Sequence, residues 1–182
     1  YVISWAGGMM PENFTSNELT GEPANMSIHI LLLFTFVAVF LYDAIYKSSL
    51  ASNVRAVTIL SFLLLTGYVF AMQKLGGFGY RAVNIHLGAL FGTNMAFNVW
   101  FRIWPAQQKI ITAIKNGEAP DAALLGLAGL RSKHNTYMSV PLVWTMHNQH
   151  HVTAPTALGI PGEFSWVLPM LMVILGWHIV WQ

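Results

Sequence analysis

The sequence predicts an all-α integral membrane protein, a helical bundle of about five transmembrane helices. Hydrophobic residues make up 55% of its 182 positions, and charged residues make up only 9%. A soluble domain carries roughly a quarter charged residues, so this chain has too few charges to cover a surface exposed to water. Strands are not favoured, because the apolar runs lack period-two alternation and open sheet edges do not occur in lipid.

Five apolar segments predict the spanning helices. They lie near residues 26–46, 56–72, 82–104, 136–149 and 164–181. A helix rises ~1.5 Å per residue, so ~20 residues cross a hydrocarbon layer of ~30 Å. The first, third and fifth segments are long enough alone. The second is marginal, and the fourth is short and contains Pro141.

The polar stretches between these segments predict the loops. We predict that residues 1–25 form an extracytoplasmic segment and that residues 105–134 form a cytoplasmic loop. Within that loop we expect one short helix over residues 107–115, ended by Asn116-Gly117. A second short helix is expected over residues 122–131, with Asp121 at its N-cap. The leucines of the second helix are expected to lie on the membrane surface or to pack against the bundle.

Loop charges predict the orientation. With five crossings, one side of the membrane receives Lys47, Arg55, Arg102, Lys109, Lys115, Arg131 and Lys133. The other side receives only Lys74 and Arg81. Positive residues favour the cytoplasmic side, so the N-terminus is predicted to lie outside the cytoplasm. The basic residues are spread between apolar runs and form no patch, so nucleic acid is not predicted as a partner.

The seven histidines are the residues that suggest chemistry. An ionisable group at membrane depth is costly and usually faces the bundle interior or a cofactor. The predicted topology places five of them near the outer ends of three helices: His29, His86, His147, His150 and His151. His134 and His178 form a predicted inner layer.

Imidazoles from facing helices predict a b-type haem, since this is how helical bundles usually hold one. The predicted axial ligands are His86 and, opposite it, His150 or His29. His147 is a further candidate, and a second haem between His134 and His178 is an additional prediction. Each histidine has a plainer alternative as a hydrogen-bonded structural group.

Other metals are alternatives. The run His147-Asn-Gln-His150-His151 is similar to the histidine boxes of membrane di-iron oxygenases, and Met146 beside it suits copper. The chain has no cysteine, which excludes disulfides and thioether-attached haem within these residues.

Two structural expectations concern single residues. Asp43 is expected to pair with Lys47, one helical turn later. Gly88 and Gly92 are expected to form a small-residue strip that allows close contact between helices.

Three stretches resemble a known family. They read NMAFNVWFRIWP from Asn94, then AQQKIITAIKNGEAPD, and RSKHNTYMSVPLVWTM from Arg131. They are similar to the membrane domain of bacterial membrane-bound urate hydroxylase, the urate oxidase N-terminal domain family. The matching residues are His86, Gly88, Ala89, Asn98, Val99, Pro105, Gln107, Gly117, Glu118, Ala119, Pro120, Asp121, Arg131, Ser132, His134, Asn135, Pro141 and His150, and the run Leu41-Tyr42-Asp43 matches an earlier helix end.

The resemblance implies a helical domain in a bacterial membrane. Together with the loop charges, it leads us to predict a multi-pass protein of the inner (cytoplasmic) membrane with a periplasmic N-terminus. The resemblance also implies oxidation of urate to 5-hydroxyisourate, with electrons leaving to a c-type cytochrome. We therefore predict a membrane redox protein, an oxidoreductase if it is itself an enzyme. The alternative is a non-catalytic accessory subunit of a larger membrane complex. No catalytic residue or substrate pocket is predicted.

Overall fold

The structure, a computed structural model, describes residues 9–16, 21–151 and 153–181. Within these residues the chain forms seven α-helices and no β-strand, which confirms the all-α prediction. The helices are α1 (Met26–Lys47), α2 (Val54–Lys74), α3 (Tyr80–Asn98), α4 (Trp104–Lys115), α5 (Ala122–Asn148), α6 (Ala154–Ala157) and α7 (Val167–Trp181). A π-helical turn, Val99–Ile103, joins α3 to α4, and short 3₁₀ turns cover Glu12–Phe14, Ser49–Ser52 and Gly162–Phe164.

Three of the described helices are long and apolar enough to cross a membrane. They are Met26–Lys47, Val54–Lys74 and the stretch Gly162–Trp181. These helices support a bilayer environment for the chain. The other two predicted spans correspond to α3 and α5, which are long enough but more polar, so their crossing stays a prediction. The predicted extracytoplasmic segment, residues 1–25, lies partly outside the described residues.

Side-chain caps set several helix starts. The Asn25 side chain accepts a hydrogen bond from the backbone N–H of Ser27, at 3.0 Å, at the start of α1. Asp121 does the same for Ala123 at 2.8 Å, as the sequence predicts. The predicted end of α4 is also confirmed, because Gly117 has a φ of +77° that a residue with a Cβ rarely adopts.

The predicted loop over residues 105–134 is wrong in its connections. Its two short helices exist, but the first continues α3 through the π turn and the second is the start of α5. The Trp104 N–H donates to the Val99 carbonyl across the π turn, so residues 80–115 are helical throughout. Likewise, α5 starts at Ala122 and runs through His134 and Pro141. Apart from the turn at residues 116–121, the polar residues of this segment do not end a helix.

The start of α5 packs against α4. Ala106 and Ile110 of α4 meet Ala128 of α5 in a small buried cluster, and Leu124 packs against it. Leu124 therefore contacts protein, whereas Leu125 is half exposed. Of the two expectations for these leucines, packing within the protein is the one that the structure shows for Leu124.

The central helix, α5, packs closely against α3 and α7. A Cβ added to Gly88 of α3 would lie 2.6 Å from the Thr145 Oγ1 on α5. A Cβ added to Gly176 of α7 would lie 3.1 Å from the Pro141 Cδ. Small residues thus bring both helices against α5, as in other membrane bundles. Gly92 has nothing within 4 Å of its added Cβ, so only the Gly88 half of the expected strip makes the contact.

We predict that Gly88→Val destabilises the bundle by about 1–3 kcal/mol, because the added side chain overpacks the contact with Thr145. Thermal unfolding of the purified protein in detergent measures this loss. Gly92→Val is the matched control on the same helix and should change stability much less. Equal losses in the two variants would contradict the packing of α3 against α5.

Candidate functional site

One carboxylate at the inner end of α1, the end predicted to be cytoplasmic, pairs with three cations. The Lys47 Nζ lies 2.9 Å from an Asp43 oxygen, and this expected pair is confirmed. Arg102 of the π turn donates from its Nε to the Asp43 Oδ1 at 2.9 Å and pairs with the second oxygen too. Arg131 of α5 donates from its Nη2 to the Asp43 Oδ1 at 2.9 Å. We call Asp43, Lys47, Arg102 and Arg131 the charged cluster.

Burial makes this cluster unusual. Arg131 is only 1% exposed and Asp43 only 6%. A buried ion loses several kcal/mol of hydration, so it needs close partners. The Arg131 guanidinium carbon also lies 5.1 Å from the centre of the Tyr42 ring and 5.6 Å from that of Tyr46. The rings and the carboxylate together hold this cation inside the protein.

A chain of neutral hydrogen bonds extends from the cluster. The Asn98 Nδ2 donates to the Tyr42 hydroxyl at 2.8 Å and to the Asn135 Oδ1 at 2.9 Å. The Asn135 Nδ2 donates to the Met95 carbonyl at 3.2 Å. The Tyr42 hydroxyl lies 2.8 Å from the His134 Nδ1. These bonds tie α1, α3 and α5 together and hold the His134 ring in place.

A large cavity lies beside this network. Its volume is about 490 Å³, and its walls are mostly apolar and aromatic. His134 of α5 and His178 of α7 both line it, together with Tyr42 and Tyr46. The structure therefore brings the two histidines of the predicted inner layer to one space. A cavity of this size and character is typical of a ligand site.

Two buried polar atoms in the cavity wall lack a hydrogen-bond partner among the described residues. They are the Asn94 Oδ1 and the Trp177 Nε1. A buried polar atom without a partner costs about 1–3 kcal/mol. Both atoms are inaccessible to solvent, so a molecule in the cavity would reach them only after the wall rearranged.

The outer histidines are arranged differently. His147 and His151 line a second, more open pocket of about 470 Å³ with Trp144 and Asn148. His150, His147 and His151 are exposed. Among the described residues, no three His, Asp or Glu side chains form a group suited to a metal ion, which leaves the di-iron alternative without support.

His86, the first predicted axial ligand, is buried but lines neither cavity. Its Nδ1 lies 2.8 Å from the Ala82 carbonyl, and its ring lies 5.4 Å from that of Phe78. A carbonyl only accepts, so the Nδ1 carries the hydrogen and the neutral ring keeps its lone pair on Nε2. The His29 Nε2 lies 3.1 Å from the Phe14 carbonyl. Pairing of His86 with His150 or His29 stays a prediction.

Most of the network was not predicted from the sequence. Its signal is polar residues at helical spacing. Asn94 and Asn98 lie within the third apolar segment, and Arg131, His134 and Asn135 lie just before the fourth. Residues three or four apart share a helix face, so each helix presents a polar stripe. Two polar stripes that face each other predict a buried hydrogen-bond network, whereas the histidines alone do not.

Comparison with known proteins identifies a family. A family model described as "Urate oxidase N-terminal" matches residues 15–181. Neither the search of curated proteins nor the search of solved structures gave a match. Several residues that carry the family resemblance meet in the network. They are Tyr42, Asp43, Asn98, Arg131, His134 and Asn135.

We predict that Arg131→Ala lowers the free energy of unfolding by about 3 kcal/mol, since removing one partner of a buried ion pair costs about 3–5 kcal/mol. We expect the lower value of this range because Asp43 still pairs with Lys47 and Arg102 in the variant. Lys47→Ala is the control, and it should cost about 1 kcal/mol or less because the Lys47 side chain is exposed. Chemical or thermal unfolding in detergent distinguishes them. Equal effects would show that burial does not set the importance of the pair.

Proposed function

The chain belongs to the urate oxidase N-terminal family, and on that premise we propose that it is a membrane redox protein that takes part in urate oxidation. In this proposal electrons leave urate and reach a c-type cytochrome through a b-type haem held in the helical bundle. The observation that carries the haem proposal is the pair of imidazoles, His134 and His178, that line one apolar cavity from two helices.

The cavity residues fit a haem. Neutral histidines on separate helices are the usual axial ligands of a b-type haem in a bundle. Aromatic and aliphatic side chains suit the flat apolar ring. Lys133 lines the same cavity and suits one of the two carboxylates that the ring carries. The two imidazoles and the size of the cavity support His134 with His178 as the ligand pair. His86 and His150 line neither of the two cavities.

The chain's own residues orient the proposed ligand. The Tyr42 hydroxyl contacts the His134 Nδ1, and Asn98 donates to the same hydroxyl. Such outer hydrogen bonds fix the ring orientation of a metal-binding histidine and leave Nε2 for the metal when Nδ1 carries the hydrogen. A bound haem supplies a one-electron centre. The apolar residues around it would limit contact with water, and Tyr42 would hold the His134 imidazole in position.

The proposed reaction balances without oxygen as an oxidant. Urate and one water give 5-hydroxyisourate, two protons and two electrons. Two molecules of a c-type cytochrome each accept one of these electrons. The oxygen atom of the new hydroxyl comes from water.

We predict that the purified protein shows a haem b signal in a dithionite-reduced minus oxidised spectrum. His134→Ala and His178→Ala should remove the signal, because each deletes a proposed axial ligand. His86→Ala and His150→Ala are the matched controls and should keep it.

Two results would overturn this assignment. Loss of the signal in His86→Ala, with retention in His134→Ala, would move the haem to the outer layer. Absence of any haem signal from the folded wild-type protein, purified after expression with sufficient haem, would remove the redox proposal altogether.

An accessory subunit is the second candidate function. One observation favours it: α2 is less buried than α1 and α7, and Ile59 and Leu63 on it are each 60% exposed. Partner helices would cover such a surface as well as lipid does.

We predict that membranes containing the wild-type chain reduce added ferricytochrome c when urate is supplied. His134→Ala membranes should not. A protein that purifies only within a larger complex, and shows no urate-dependent reduction, would favour the accessory role.

A further inference from the structure

We propose that the charged cluster raises the reduction potential of the redox group in the neighbouring cavity. This inference rests on the proposed redox function. It adds a role for residues that do not contact the cavity ligand themselves.

The charged cluster carries more positive than negative charge. Each of the three ion pairs found among the described residues uses Asp43. Three cations and one carboxylate leave a formal excess of two positive charges. Lys47 is mostly exposed, so water and salt screen it. Arg131 is almost completely buried, and the Arg102 side chain is 22% exposed. With Lys47 set aside, Arg102 and Arg131 against Asp43 leave an excess of one positive charge in the part of the cluster where screening is weaker.

The charged cluster lies beside the cavity. The Arg131 guanidinium lies against the rings of Tyr42 and Tyr46, and both rings form part of the cavity wall. Arg131 thus contacts two rings that also line the cavity. The Tyr42 hydroxyl then contacts the His134 Nδ1, so the charge also acts on the proposed axial ligand through a hydrogen bond.

The sign of the effect follows from electrostatics. Reduction adds one negative charge to the redox group, and a nearby positive charge stabilises the reduced form more than the oxidised form. The interaction is strong because the medium between them has a low dielectric constant. A raised potential suits a centre that must draw electrons from an organic donor and withhold them from weaker acceptors.

A redox titration of the haem absorbance in the purified holoprotein tests the inference. Arg102→Gln removes one cation from the cluster, and we expect a downward shift of about 59 mV, which is tenfold in a one-electron equilibrium constant. Arg102→Lys should restore most of the wild-type potential because it keeps the charge. Lys109→Gln is the control for an exposed cation outside the cluster on α4, and it should leave the potential unchanged.

Asp43→Asn is expected to shift the reduction potential in the opposite direction. It removes the only negative charge of the cluster, so the potential should rise where Arg102→Gln makes it fall. General structural damage would move both variants in the same direction, and that result would overturn the inference. If Asp43→Asn does not fold, the comparison of Arg102→Gln with Arg102→Lys decides alone, and equal potentials for that pair overturn it.

The outcome separates this inference from the proposed function. A wild-type protein with no redox centre overturns the proposed function and the inference with it. A wild-type protein whose haem potential does not respond to Arg102→Gln keeps the proposed function and overturns only the role of the cluster.

Discussion

The carboxylate of Asp43 is the contact on which the inner half of the molecule depends. Arg131 is buried at 1% exposure, and an isolated cation there would be highly unfavourable. Asp43 offsets this cost and at the same time receives Arg102 from the π turn. One side chain of α1 thus fixes the positions of α5 and of the link between α3 and α4. The cavity and its histidines lie directly beside this junction.

Composition and local motifs were sufficient to predict the helices but not their connections. Apolar runs identify α1, α2 and α7, because lipid admits long helices and little else. Asp121 and Gly117 mark helix ends through backbone chemistry that acts within a few residues. Polar residues such as Lys133 and His134 were interpreted as loop. Polarity does not by itself end a helix, and α5 runs through both residues.

The site was predictable only in part, for a geometric reason. Depth along a helix follows from residue number, so the grouping of His134 with His178 agrees with the shared cavity. The direction that a ring faces does not follow from depth, and His150 lies exposed beyond the end of α5. Asp43 and Lys47 are one turn apart and were paired from sequence. Arg102 and Arg131 lie 59 and 88 residues from Asp43, and such contacts arise only when the bundle assembles.

The π turn keeps four residues of one uninterrupted helix closer to a single line along it. In a regular α-helix, residues four apart drift by about 40° at each step, so a row of them winds away from its neighbour. A turn closed by i→i+5 hydrogen bonds takes in one more residue and cancels part of that winding. Asn98, Arg102, Ala106 and Ile110 form such a row, and Asn98, Ala106 and Ile110 are buried. The length of this turn is therefore constrained. Inserting or deleting one residue in it would rotate Ala106 and Ile110 away from the helix face that carries Asn98.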